Sequence, residues 1–269
     1  MSSGSKIVLI GKNSFLAQNF LRHSAIHQNI IAVSHDEIEG VSWDAVGCVV
    51  NLSYNTDCSS GSYQPMIDMD RQIADRLKNT DAHYVMFSSR MVYDAANAGP
   101  ICEDDACVGQ GFYGENKIIS EHNITETLKG RYTILRLANI FGFEPGRHTF
   151  MGHALRTLRE ENRIHLDINR DAFRDFLPAA IFSRVLGDIL LRKPCGIINL
   201  GSGIRHSVGD VAGWLIEGYG DGVITCEPTE PENSFVLNVE KLTNIFGPIC
   251  SDGDIKRACI ELGQRLHHD

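Results

Sequence analysis

The feature that most constrains this chain is an alternation, through its first half, of short apolar runs with amphipathic stretches of helical length. Lys6-Ile7-Val8-Leu9-Ile10 reads as a buried strand, followed by a glycine turn and a helix through Phe15, Leu16, Phe20 and Leu21. Ile30-Ile31-Ala32-Val33, Cys48-Val49-Val50-Asn51-Leu52, Tyr84-Val85-Met86-Phe87 and Tyr132-Thr133-Ile134-Leu135-Arg136-Leu137 repeat the strand signal. Helices are predicted over about Met66 to Lys78 and from Tyr113 onward. Strands that are apolar at nearly every residue are buried on both faces. With helical crossovers between them, they form a parallel sheet covered on both sides. The expected class is therefore α/β, a doubly wound parallel sheet of the Rossmann type.

After Gly142 the texture changes. Helical segments at His153 to Glu161, Pro178 to Leu191 and Val208 to Tyr219 mix with short strands such as Ile197-Ile198-Asn199-Leu200, and Gly and Pro punctuate the region. No internal repeat or long linker is present. The expected organisation is a dinucleotide-binding core of 1–142 plus approximately 173–201, with a smaller mixed α/β substrate-binding lobe of approximately 143–172 plus 202–269.

The formal net charge of -9 argues against a nucleic-acid binder and against a binder of anionic membranes. The eight cysteines are scattered, without a Cys-x-x-Cys pair, and no segment is apolar for long enough to be a signal peptide or to span a bilayer. Free thiols in a reducing cytoplasm are the expectation. His23 and His27 stand at i and i+4, but no further ligand cluster lies near them, so no metal site is expected.

Tyr113 and Lys117 stand four apart at the predicted start of a helix, with Ile118, Ile119, His122 and Leu128 continuing an apolar stripe. Residues at i and i+4 share a helix face, so phenol and ammonium converge. An ammonium stabilises a neighbouring phenolate, and such a pair can hand a proton to a carbonyl oxygen while hydride reaches its carbon. The same spacing also arises by chance on solvated helices. Upstream, the fourth strand ends in Phe87-Ser88-Ser89-Arg90-Met91-Val92-Tyr93. The carboxyl ends of parallel strands face the ligand crevice, where a hydroxyl can orient a carbonyl. Two serines there can equally cap the strand.

Gly11-Lys12-Asn13-Ser14-Phe15-Leu16-Ala17 occupies the place of the glycine-rich turn that brings a pyrophosphate to a helix N-terminus, with Ser14 and Ala17 where further glycines are usual. The other reading is a plain strand–helix turn. At the end of the second strand, Val33 is followed by Ser34 and His35, with Asp36 and Glu37 displaced along the chain. A carboxylate at that tip usually accepts from the ribose 2′-hydroxyl of NAD. Its displacement favours NADP(H), with Ser34 and His35 available to a 2′-phosphate. NAD(H) remains open because no arginine stands at the tip and Asp36 can swing inward.

Taken together, the glycine turn at Gly11, Ser-Ser-x-x-Val-Tyr at 88–93, Tyr-Gly-x-x-Lys at 113–117, Arg136-Leu137-Ala138-Asn139-Ile140-Phe141-Gly142, Arg174-Asp175-Phe176 and Asn199-Leu200-Gly201-Ser202-Gly203 resemble the extended short-chain dehydrogenase/reductase family. That family comprises nucleotide-sugar epimerases, dehydratases and reductases, and the resemblance spans nearly the whole chain. It implies Ser89 as the catalytic hydroxyl, Tyr113 as general acid/base and Lys117 as its partner. It implies cofactor contacts at Gly11, Asn13, Ser14, Phe15, Leu16, Ser34, His35, Leu52, Ser53, Ser88, Tyr113, Lys117 and Leu137. Substrate contacts are implied at Ser89, Arg90, Met91, Tyr113, Asn139 and Arg174, the last two toward a nucleoside diphosphate. For Arg174 an ion pair with Asp171 or Asp175 is the alternative.

Dehydratases of the family follow the catalytic hydroxyl with an Asp-Glu pair, where this chain has Arg90 and Met91. The expectation is an NAD(P)H-dependent reductase of a nucleotide-linked 4-keto-6-deoxysugar. An NAD-dependent 4-epimerase and a non-catalytic nucleotide sensor are the alternatives. Relatives often pair through the Tyr-x-x-x-Lys helix and the helix before the fourth strand. A homodimer is thus possible, although Asp68, Asp70, Arg71, Asp75 and Arg76 make the second of those helices highly charged.

Overall fold

In a computed structural model, residues 6–24, 26, 29–43, 45–226 and 234–269 are described; His27 lies outside them. In chain order the elements are β1 (Lys6–Ile10), α1 (Phe15–His23), β2 (Ile30–Val33), β3 (Val46–Asn51), α2 (Met69–Leu77), β4 (His83–Ser89), α3 (Gly111–Leu128), β5 (Tyr132–Leu137), β6 (Asn139–Phe141) and α4 (Phe150–Glu161). They continue with β7 (Arg163–Leu166), β8 (Phe173–Pro178), α5 (Ala179–Arg192), β9 (Gly196–Leu200), β10 (Arg205–Ser207), α6 (Val208–Tyr219), β11 (Val223–Cys226), α7 (Glu240–Phe246) and α8 (Asp252–His268).

The chain divides into two compact units. The first comprises Met1–Ala95, Glu103–Leu137 and Phe182–Leu200, and the second Ala96–Cys102, Ala138–Ile181 and Gly201–Asp269. The first is built on a six-stranded sheet in the order β2-β1-β3-β4-β5-β9, every neighbouring pair parallel. This is the doubly wound α/β sheet that the apolar runs imply. One face is closed by a core containing Val8, Ile10, Val49, Ile73, Leu77, Met86, Ile124 and Leu128. Since β1 lies between β2 and β3, the chain winds first to one side of β1 and then to the other. That reversal is a topological switch point at the carboxyl ends of β1 and β3, where such sheets take their ligands.

Two helices differ from expectation in ways that bear on the site. The helix expected from Met66 begins at Met69, because Asp68 caps it by accepting from the Arg71 N–H at 3.2 Å. The apolar stripe expected on α3 is not its buried face: Ile119 is 39% exposed and His122 is exposed. The buried side instead carries Gly114, Asn116, Lys117, Ser120 and Glu121 before Ile124 and Leu128. Each of the four polar side chains is satisfied by a partner. Asn116 donates to the carbonyls of Cys58 and Gly61, and Glu121 receives the buried Arg136 guanidinium at 2.7 Å. A polar inner face erases the 3.6-residue apolar period, so the sequence misleads on which side of α3 faces in.

The second unit has a three-stranded sheet, β10-β8-β6, in which β8 runs parallel to β6 and antiparallel to β10, and a two-stranded parallel pair, β11-β7. Because β6 pairs with β8 and not with the large sheet, the change of unit falls at Ala138, and Phe173–Pro178 stays with the second unit. Its core gathers Phe141, Leu155, Leu158, Phe176, Val211, Leu215 and Ile255. Asp175 is fully buried and accepts from Ser202 N and Oγ (both 2.7 Å), Gly203 N (3.1 Å) and Leu237 N (3.3 Å).

His83, 6% exposed at the start of β4, gives the first unit a pH dependence. Its Nε2 lies 2.8 Å from Thr133 Oγ1, and that hydroxyl donates to the Pro194 carbonyl, so the imidazole is the donor in this pair. Burial, with Lys193 and Arg131 nearby, lowers its pKa to about 4. The native state therefore resists protonation that the unfolded chain accepts near 6.5. The contribution is present above that value and is lost as pH falls toward 4. Urea unfolding of His83→Gln is expected to lose about 2 kcal/mol less between pH 7 and pH 5 than the parent protein does. An equal loss in both would rule this out.

Candidate active site

The site assembles from turns at the carboxyl ends of the central strands. At the switch point Gly11 has φ +86, and a Cβ there would lie 2.6 Å from Ser53 N. The chain itself thus requires glycine to leave β1 against the end of β3. Ser14 caps α1, its Oγ accepting from Ala17 N at 3.2 Å. The helix then opens with Phe15 and Leu16, both half-buried, beside the exposed Asn13. The result is a left-handed turn feeding a capped helix N-terminus, an arrangement that suits a pyrophosphate.

At the end of β2 the structure adds a group the sequence reading set aside. Glu37 folds back so that its Oε2 accepts from Ser34 N at 2.8 Å, and both its oxygens lie 2.7 Å from Lys12 Nζ. Lys12, then the Ser34 backbone, hold the Glu37 carboxyl below the usual range. A carboxylate therefore does stand at the strand tip, answered by a lysine from the glycine turn. His35 sits beside it with its Nε2 3.0 Å from Asp36. Leu52 is buried at the end of β3, and Ser53 is bound through both N and Oγ to Asn51 Oδ1. A recess of about 390 Å³ opens here, lined by His35, Ser53, Tyr54, Met66, Met69 and Gln72. Met66 and Met69 add apolar surface to an otherwise polar lining, a combination that fits a nucleoside.

At the end of β4, Ser89 Oγ accepts from Met91 N at 3.2 Å and so caps the 3₁₀ turn Arg90–Val92. Capping leaves the hydroxyl proton available. Ser88 is buried, and its Oγ has no hydrogen-bond partner among the described residues. Leu137 ends β5 directly opposite Ser89. The N-terminus of α3 is pressed onto this turn: Gln110 N donates to Met91 O at 2.8 Å, and Gly114 is so close that a Cβ would lie 2.1 Å from that oxygen. One residue earlier stands Tyr113, its ring edge-on to Tyr54 with centroids 5.2 Å apart. Lys117 points along the same face and donates to the Phe87 carbonyl at 2.8 Å, two residues before Ser89. Ser89, Tyr113 and Lys117 are thus brought to one strand end.

Lys117 is buried, and its second partner is Asp70 Oδ2 at 3.1 Å. Burial works against its charge. Asp70, Tyr113 and Asp68 outweigh that, and the ammonium is held above the ordinary lysine range. Neither carboxylate was a site candidate in the sequence, where both read as part of a charged helix surface. Asp70 shares an i, i+3, i+4, i+7 face with Ile73, Ala74 and Leu77, all buried, and that spacing was the available signal.

Asn139 and Arg174 belong to the second unit, Asn139 pairing with Phe176 two residues beyond Arg174 in the register of β6 and β8. Arg174 forms no ion pair with Asp171 or Asp175 among the described residues, because successive strand side chains face opposite ways and Asp175 is bound behind the sheet. Its Nε is buried without a hydrogen-bond partner among the described residues. Burial lowers its pKa, partly offset by Asp167. A guanidinium with a buried, unmatched Nε fits an anionic ligand. All eight cysteines are free, no cluster among the described residues has the makings of a metal site, and no described helix is long and apolar enough to cross a membrane.

The sheet, the turn at Gly11 and the serine–tyrosine–lysine set define a class, the extended short-chain dehydrogenase/reductases, which are NAD(P)-dependent oxidoreductase-type enzymes. Within it, a family model described as the RmlD substrate binding domain matches residues 63–212, more than half of the chain, and the chain belongs to that family. A search of curated protein sequences gave no match. Among solved structures, a UDP-N-acetylglucosamine 4-epimerase from Bacillus cereus is similar with a TM-score of 0.80 at 19% identity, over 98% of this chain and 99% of that one. A dTDP-4-dehydrorhamnose reductase from Clostridium acetobutylicum gives 0.77 at 19% identity, over 97% and 99%. A protein called RMD from Pseudomonas aeruginosa, complexed with NADPH, gives 0.80 at 15% identity, over 98% and 99%. At these identities the likeness is one of fold.

Proposed function

We propose that this protein is an NAD(P)H-dependent reductase of a nucleotide-linked 4-keto-6-deoxysugar. The observation that carries the reading is the convergence of Ser89, Tyr113 and Lys117 at the end of β4, with Arg90 and Met91, not two carboxylates, following the serine. A reduced nicotinamide, when bound, would supply the hydride that the ketone carbon needs. Ser89 orients the carbonyl by donating to its oxygen, and Tyr113 gives that oxygen a proton, so ketone, hydride and proton become an alcohol. Lys117 supports the phenol. Arg174 offers its guanidinium to the substrate's diphosphate. In a single-turnover assay with a nucleotide-linked 4-ketosugar, the reductase oxidises one equivalent of NADPH or NADH. Interconversion of a nucleotide-linked 4-hydroxysugar with its C4 epimer, without net cofactor consumption, would instead make the chain an epimerase, and binding without turnover a sensor.

For the cofactor we favour NADP(H), with Lys12, Ser34 and His35 near the 2′-phosphate. The Glu37 carboxylate is the observation that supports NAD(H) as a second reading. Removing that charge while keeping the Ser34 cap discriminates between them. Glu37→Gln is expected to strengthen NADPH binding about tenfold relative to NADH, by ending repulsion of the 2′-phosphate and releasing Lys12. Fluorescence titration of both cofactors measures this. An unchanged ratio would remove Glu37 from the discrimination.

A further inference from the structure

The Lys117 ammonium lies in a chamber whose other walls are as informative as Tyr113. Asp70 Oδ2 faces it at 3.1 Å, while Asp70 Oδ1 is fixed by the Tyr84 hydroxyl at 2.6 Å and Asn51 Nδ2 at 2.8 Å. Asp68, at the cap of the same helix, accepts from Tyr63 at 2.7 Å and Ser120 at 2.8 Å. The Tyr54 ring covers the ammonium with its centroid 5.0 Å away, and Cys58 closes the remaining side. The cavity among these groups is about 20 Å³, room for one water. Solvent therefore does little to screen Lys117, and its counter-charge is Asp70.

This arrangement bears on the direction of proton transfer. A lone ammonium beside a phenol favours phenolate, the form that withdraws a proton from an alcohol. An ammonium answered by a carboxylate at 3.1 Å exerts a much weaker net field on Tyr113. Building on the reductase reading, we infer that Asp70 is a positioning residue. It fixes Lys117 against the Phe87 carbonyl and offsets its charge, setting the site to give a proton to the substrate oxygen and not to take one. The groups that share in the balance are Asp68 and Asp70 from α2 and its cap, Tyr84 from β4, Tyr54 and Cys58 from the segment after β3, and Tyr113 on α3 itself.

Asp70→Asn keeps the shape and removes the charge. The alkaline limb of its kcat–pH profile is expected to move to lower pH by about one unit or more, with KM for the ketosugar changed by less than about twofold. Asp70→Glu keeps the charge and displaces it. It is expected to lose about tenfold in kcat while its alkaline limb stays where the parent's lies. A readout free of turnover is the ¹⁵Nζ resonance of Lys117, assigned by its loss in Lys117→Arg. In the parent it should report ammonium to a pH above the ordinary lysine range, and in Asp70→Asn its titration should move to lower pH. If Asp70→Asn lowers thermal stability but moves neither the limb nor the Lys117 titration, the pair is only a tie between helices and the inference is wrong. Should Asp70→Asn fail to fold, a parent Lys117 that titrates below about pH 10, or an Asp70→Glu limb displaced from the parent's, overturns it equally. A parent that reduces no ketosugar would fail the reductase reading, and the Lys117 titration then decides the role of Asp70 by itself.

Discussion

Tyr113→Phe is expected to lower kcat for ketosugar reduction by about 10³-fold, with the dissociation constants of NAD(P)H and of the nucleotide sugar changed by less than about threefold. The reasoning is local. Phenylalanine keeps the ring, so the edge-on contact with Tyr54 at 5.2 Å survives and the start of α3 is undisturbed. What is lost is the proton that must reach the alkoxide as hydride reaches its carbon. Ser89 still has a hydroxyl to orient the ketone, which is why the loss stops short of complete. Steady-state kinetics with binding by fluorescence separates the two effects. A variant that turns over every tested ketosugar at the parent rate would end the mechanism, and one whose binding collapses would make Tyr113 a ligand contact and not an acid.

The two units were not equally visible in the sequence. The parallel sheet was legible because strands buried on both faces leave a continuous apolar record, as Lys6–Ile10 and Tyr132–Leu137 do. The turn at Gly11 was legible from its place directly after the first strand, whereas the strand order that makes it a switch point was not. The proposed catalytic trio lay in short motifs whose order carried the information. Lost to the sequence was everything that depends on a polar side chain turning inward. Asp70 looks like solvated charge until Lys117, forty-seven residues beyond it, is known to meet it, and Asp68 does so until Tyr63 and Ser120 are seen to donate to it. Glu37 looks displaced from the strand tip until a 3₁₀ turn brings its carboxylate back to Ser34. In the second unit α4 and α6 were legible, but α7 and α8 were not expected, and its strands were lost because β6, β8 and β10 are three to six residues long and carry no strong period. Arg174 was proposed from its motif, and its orphaned Nε favours a ligand handle over an ion pair.

Gly114 shows how tightly local geometry and activity are joined. In an exposed stretch of helix, exchanging glycine for alanine stabilises by up to about 1 kcal/mol, because alanine loses less backbone freedom on folding. Here the new methyl would stand 2.1 Å from Met91 O and 3.0 Å from Met91 C, both backbone atoms of the turn that follows Ser89. Neither can rotate away, so α3 must withdraw from β4. The shift would carry Tyr113 and Lys117 with it, stretching the 2.8 Å contacts of Lys117 with Phe87 O and of Gln110 N with Met91 O. Gly114→Ala is therefore expected to destabilise by about 2 kcal/mol despite the helical preference of alanine. It should also cut kcat by about 10²-fold, the scale on which a misplacement of about 1 Å is felt. Gly213, inside α6 with nothing within 4 Å of its added Cβ, provides the contrast: Gly213→Ala should be neutral or stabilising. Urea midpoints and kcat for both variants test the pair. If Gly114→Ala matches Gly213→Ala in stability and the parent in turnover, then α3 does not owe its seat to the missing side chain. The glycine in Tyr-Gly-x-x-Lys would then need another explanation.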